Sequence, residues 1–159
     1  MKLIRDNLII DNKIQDPKFE CNPIKPQASS LDSNDIQWST TDEQVVDKST
    51  FWGYARSIKC IEDAQEGLAN ILQDESNADA SHIVYAYRFT DSESLQITTG
   101  NSDSGEIGAS KHLLNQLVLQ NASALVVVLR KFGGVHLGKK RWRLYTDHAK
   151  SAINQLAKT

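Results

Sequence analysis

Cysteine and proline are scarce in this chain, and long apolar runs are missing. The two cysteines, Cys21 and Cys60, stand far apart and outside any Cys-x-x-Cys spacing, so neither a disulfide framework nor a zinc site is expected. The longest apolar stretch, Ala124 to Leu129, falls far short of the roughly 20 residues that span a bilayer, so no membrane span is expected. The opening Met1-Lys2-Leu3-Ile4-Arg5-Asp6-Asn7 lacks the apolar stretch of a secretory signal, and Asp6, Asp11 and Asp16 argue against a transit peptide. A cytoplasmic location, with the nucleus open to it, is the expectation. The four histidines show neither His-x-x-x-His nor His-Glu-x-x-His spacing, so no metal site and no cofactor are expected.

The charge is unevenly placed. Residues 1–110 carry 9 Lys+Arg against 19 Asp+Glu, a balance of -10, and residues 111–159 carry 9 against 1, a balance of +8. Such polarity points either to a basic face for an anionic partner or to two halves that neutralise each other across the fold.

The first forty-four residues hold all three prolines, Pro17, Pro23 and Pro26, followed by polar Gln27 to Asp35, and read as an arm and linker. Trp38 stands alone there as a candidate anchor. From Val45 to Thr159 the pattern is that of one domain. Phe51 to Ile61 reads as a strand with Trp52, Tyr54, Ile58 and Cys60 on one face, interrupted by Arg56. Glu62 to Gln73 sets Ala64, Leu68, Ile71 and Leu72 on a helical stripe. His82 to Thr90 alternates Ile83, Tyr85, Tyr87 and Phe89, and pairs with a strand through Leu95, Ile97 and Thr99 as a hairpin. A helix is expected from about Gly105 to Asn121, a strand covered on both faces or held in the sheet's centre from Ala124 to Arg130, and a last helix from about Lys140 to Ala157. The order β-α-β-β-α-β-α predicts an α+β fold, a mixed sheet backed by one layer of helices.

Chemistry has two places to sit, both glycine-bearing loops that lead into helices. Phe132-Gly133-Gly134-Val135-His136-Leu137-Gly138-Lys139-Lys140 comes within one residue of the phosphate-binding G-x-x-x-x-G-K-[ST] pattern. Lys140 stands where a hydroxyl must hold Mg²⁺, so nucleotide hydrolysis is not expected. Backbone N–H groups flanked by Lys139, Lys140, Arg141 and Arg143 still offer an anion site. Reversing charge at Lys140 and Arg141 should then abolish anion binding with little effect on melting. The other loop, Ser102 to Ser110, clusters Asp103, Ser104 and Glu106, which His136 could approach from across the rim. Asp103 followed three residues later by Glu106 also makes a capping box, which needs no catalysis. No nucleophile, base and orienting group come together, so no catalytic residue is assigned.

These stretches resemble the Impact family over about Val45 to Ala157. The resemblance rests on Lys48-Ser49-Thr50-Phe51, on His82-Ile83-Val84-Tyr85-Ala86-Tyr87-Arg88, on Asp103-Ser104-Gly105-Glu106, and above all on Val126 through Arg130-Lys131-Phe132-Gly133-Gly134-Val135-His136-Leu137-Gly138. Ser104 stands where the family's first loop usually has a second Asp, and after Gly138 the sequence follows the eukaryotic branch with Arg141-Trp142. The resemblance implies a fold like the second domain of ribosomal protein S-five, a four-stranded sheet with helices on one face. It also implies a non-enzymatic regulator of translation under amino-acid stress. Such proteins restrain the general-control kinase that phosphorylates initiation factor two by competing for its ribosome-associated activator. Eukaryotic members usually add an N-terminal RWD domain, for which the first forty-four residues are too few.

The expected binding surface thus comprises Asp103, Ser104, Gly105 and Glu106 with Arg130, Gly133, Gly134, His136, Gly138, Lys139, Lys140, Arg141 and Arg143. Its expected occupant is a protein partner; the alternative is a nucleic acid or phosphate held by the Gly-rich loop and the basic C-terminal third.

Overall fold

The computed structural model describes residues 38–157. Of the arm expected over residues 1–44, residues 1–37 lie outside them. Trp38–Thr40 form β1 and Gln44–Val46 form β2, and both pair with β3, Ser49–Ser57. The sheet therefore takes in Trp38, upstream of Val45. Asp47 and Lys48, both at positive φ, make the two-residue turn between β2 and β3, the geometry of a tight hairpin.

Helix α1 follows at Ile61–Gln73, then β4 at His82–Thr90, β5 at Ile97–Ser102, α2 at Ala109–Leu119, β6 at Ala124–Lys131 and α3 at Lys140–Ala157. The strands lie in the order β1-β3-β6-β4-β5, and every pairing among the described residues is antiparallel. The α+β class stands, but a mixed sheet of four strands is corrected to six antiparallel ones. β6 is the reason: it runs back between β3 and β4, so those two strands point the same way without touching.

A second correction concerns the helices, which cover both faces. Alternate residues of β6 divide the core. Ala124, Val126 and Val128 join Phe51, Ala55, Val84 and Ala86 beneath α2 and α3, which contribute Leu113, Leu117, Tyr145, Ala149 and Ile153. Leu125, Val127 and Leu129 face the other way with Trp52, Ile83, Tyr85 and Phe89, and α1 covers them through Ala64, Leu68, Ile71 and Leu72. Strands apolar on both sides cannot leave one face in water. With α1 and α2 on opposite faces, the β3-α1-β4 and β5-α2-β6 connections have opposite hands, although right-handed connections are the strong preference.

Arg56 is buried against α1 instead of breaking its face. Its guanidinium donates to the Asp63 carbonyl at 2.8 Å and to Glu66 at 2.9 Å, and lies over the Trp38 ring. Gly67 makes room for it, since a Cβ there would stand 3.0 Å from the Arg56 side chain.

The β1–β2 edge is fastened to α3. Ser39 Oγ donates to the Ala152 carbonyl at 2.6 Å, and buried His148 hydrogen-bonds Thr41 Oγ1 at 2.8 Å and Gln44 Oε1 at 2.9 Å while stacking on Phe51. Gln44 Oε1 only accepts, so Nε2 carries a hydrogen, and burial favours the neutral ring, which leaves Nδ1 to accept from the Thr41 hydroxyl.

Candidate functional site

Both glycine loops fall at one end of the sheet, where β3 and β4 begin and β5 and β6 end. His82 pairs in register with Arg130, and its ring Nδ1 lies 3.0 Å from the Ser104 carbonyl, which it serves as donor. The Phe132 N–H donates to Ser81 Oγ at 3.0 Å. The two turns are thereby neighbours along a single rim.

Glu106 is the centre of the junction, and it is buried. Its Oε2 accepts from Arg130 Nη1 at 2.6 Å and from the Tyr145 hydroxyl at 2.6 Å, and its Oε1 lies 3.4 Å from Arg141 Nη1. Burial works to raise the carboxyl's pKa, yet the bonds from Tyr145 and Arg130 outweigh it and hold Glu106 below the ordinary range. The same burial, with the carboxylate alongside, pushes the Tyr145 phenol far upward and keeps it a donor. Arg130 also reaches Ser49 Oγ, to which the Gly133 N–H donates at 3.3 Å, and its guanidinium lies between the Phe51 and Phe132 rings. One ion pair thus ties β3, β6, α3 and both turns together.

The capping box gives way to a different arrangement. Helix α2 starts at Ala109, behind Gly108 at φ +94, so Glu106 lies ahead of the first turn and points into the core. Asp103 braces the helix entry: one oxygen accepts from the Gly108 N–H, the other from the Ser110 N–H and hydroxyl. Partial burial would raise its pKa, but these bonds prevail and hold it low. Ser104, at positive φ, accepts the Ile83 N–H on its hydroxyl, and Gly105 sits beside the His82 ring. His136 packs against Phe132 with centroids 5.6 Å apart, and no hydrogen bond from it to Asp103 or Glu106 is present among the described residues.

Gly133 presses on the β2–β3 turn so closely that an added Cβ would overlap the Lys48 carbonyl oxygen. Gly134 and Gly138 both hold positive φ, +95 and +61. The β6-loop-α3 setting resembles a phosphate loop in outline, but donors of the first helical turn are engaged. The N–H groups of Lys140, Arg141 and Trp142 donate to the carbonyls of Leu137, Gly138 and Lys139. The basic side chains are also partly neutralised: Lys140 meets Asp47 at 2.6 Å, Arg143 lies 3.9 Å from Asp147, and Arg141 stacks 4.4 Å over Trp142. Trp142 in turn stacks on His112. Arg141 is therefore part of the internal network, and reversing its charge is no simple surface change.

Ser49 and Tyr145 belong to this junction although sequence reasoning left them out. Phase offers a signal for Arg130 alone: it continues the Ala124, Val126, Val128 series and so must enter the core side. Among the described residues there is no group of three or more His, Cys, Asp or Glu able to hold a metal, and no helix long and apolar enough to cross a membrane.

Two solved structures share the fold. One, described only as a hypothetical protein, matches at TM-score 0.56 and 23% identity over 77% of this chain and 61% of its own. The other, described as the two-domain translational regulator Yih1, matches at TM-score 0.54 and 24% identity over 89% of this chain and 51% of its own. The Protein IMPACT homolog of Schizosaccharomyces pombe is 29% identical over 138 residues, 86% of this chain and 46% of that protein. The Saccharomyces cerevisiae homolog is 26% identical over 87% of this chain and 54% of its own length, and Protein IMPACT-B of Xenopus tropicalis 30% identical over 71% and 36%. This chain thus spans about half the length, or less, of the curated relatives it matches. The model of the Impact N-terminal domain matches residues 47–153, which include both turns and the ion pair between them, and the chain belongs to the Impact family.

Proposed function

We propose that this chain is a non-enzymatic, cytoplasmic regulator of translation that works by docking a protein on the rim, within the general-control kinase pathway. The observation that carries the reading is the state of the polar groups at the junction. Glu106 is ionised and held by Arg130 and Tyr145, Asp103 accepts three bonds at the entry of α2, and the Ser104 hydroxyl accepts from the backbone. A base or nucleophile needs a lone pair turned toward substrate; these are turned inward. What they accomplish is rigidity, fixing two turns as a preformed surface. Similarity to proteins called IMPACT and to the translational regulator Yih1 supports the role in translation.

The test is retention of the kinase's ribosome-associated activator by the tagged chain in ribosome-containing extract, read with antibody. The expected result is retention that falls when the rim is altered at Ile107, Phe132 or Val135. An activator left wholly in the flow-through at saturating protein overturns the pathway assignment.

A further inference from the structure

We infer that the rim recognises an acidic segment bearing large apolar side chains, an amphipathic peptide stretch of a protein partner rather than a nucleic acid. This rests on the docking reading above and names the partner's chemistry.

Each turn lifts an apolar side chain off the surface. Ile107, between Gly105 at φ +87 and Gly108 at φ +94, is 83% exposed. Phe132 and Val135, on either side of the glycine pair, are 40% and 39% exposed. Phe132 cannot turn inward, because the buried Arg130 guanidinium already lies 5.4 Å from its ring. Neither can Ile107 follow Glu106 into the core, since the carboxylate of its neighbour is clamped there. Apolar groups displayed from a braced backbone mark a contact surface.

The charge along the segment that bears Phe132 and Val135 is predominantly positive. Residues 131–143 contain Lys131, Lys139, Lys140, Arg141 and Arg143 and no acidic residue. The carboxylates that meet them do not reverse the balance: Glu106 is buried under Arg130, and Asp47, Asp79 and Asp147 meet Lys140, Lys131 and Arg143 only through half-exposed or exposed pairs. Pairs of that kind are worth little in water and exchange readily for a partner's carboxylates. Apolar anchors within a cationic border suit an amphipathic segment whose polar side is Asp and Glu.

A phosphate backbone fits less well. The first-turn N–H groups of α3 are donating to carbonyls, and the Trp142 ring is already engaged by His112 and Arg141.

The experiment is fluorescence anisotropy on the full chain with four labelled probes. They are a helical peptide with Leu and Phe on one side and Glu and Asp on the other, the same peptide with Lys for every acid, the acidic peptide with Ser for Leu and Phe, and a single-stranded oligonucleotide. The acidic amphipathic peptide should bind roughly tenfold tighter than either altered peptide. The double variants F132S/V135S and K139E/R143E should each weaken it by roughly tenfold, at unchanged melting temperature. Equal binding of acidic and basic peptides overturns the inference, as does tighter binding of the oligonucleotide. If F132S/V135S still lowers activator retention while peptide charge is immaterial, the inference alone fails; if retention is indifferent to the rim as well, the docking reading fails with it.

Discussion

Glu106 and Arg130, one on the turn before α2 and the other in the last strand, meet at 2.6 Å in a space closed to solvent. The pair is the pin on which both turns hang, because Tyr145, Ser49 and Arg141 each meet one of its two members.

Truncation as E106A strands a buried guanidinium and is expected to cost about 3–5 kcal/mol, read by urea unfolding. The double variant E106L/R130M removes both charges and should be less damaging than E106A, since a buried pair can be replaced by apolar groups at little cost. A double variant as unstable as the sum of both singles would show that the two side chains act independently.

Acidity should erode stability in two steps. Burial depresses the His148 pKa below 6.5, so the unfolded chain takes up that proton first and stability declines as pH drops through about 6.5. H148Q, which keeps hydrogen-bonding capacity without the titration, should abolish this step. Glu106 and Asp103 have folded pKa values held below their ordinary 4.5 and 3.8, so their contribution is complete above those values and disappears as pH falls through and beneath them. Thermal melts from pH 8 to 3, for wild type and H148Q, separate the two.

G133A should lower stability by about 1–3 kcal/mol, the usual cost of forcing atoms into filled space, because the Lys48 carbonyl occupies the place of the new methyl. G134A meets no neighbour, and its cost arises from positive φ alone. Calorimetry that ranks G134A as the more damaging would contradict the close approach of the two turns.

K140E and R141E should part company. Lys140 is half exposed in a surface pair, so its reversal is expected to change stability by no more than about 1 kcal/mol. R141E brings a second carboxylate toward buried Glu106 and should lower the melting temperature distinctly. Equal melting temperatures would place Arg141 outside the network.

Periodicity made the elements readable where one rule governed them. β4 spans His82–Thr90 as its alternation predicts, and α1 and α3 follow their stripes to within a residue. β1 and β2 were missed because three residues carry no usable period, and their strand character comes from pairing with β3. The face covered by α1 was misassigned for a related reason: a stripe shows that a helix is buried without showing which side of the sheet it meets. At the rim, the proximity of the turns was foreseeable from strand direction. Glu106 was not, since Asp-x-x-Glu before a helix looks the same whether the Glu caps or turns inward, and only the positive-φ backbone at Gly105 and Gly108 settles which.

The clasp between the first strands and the last helix joins segments more than a hundred positions apart, through Ser39 to Ala152 and Thr41 to His148. Neither can peel away without baring the other's hydrogen-bonding groups. Amide protons of β3, which lies beneath both, should therefore exchange with those of α3 in one cooperative opening, while α1, alone on the far face, is free to open by itself.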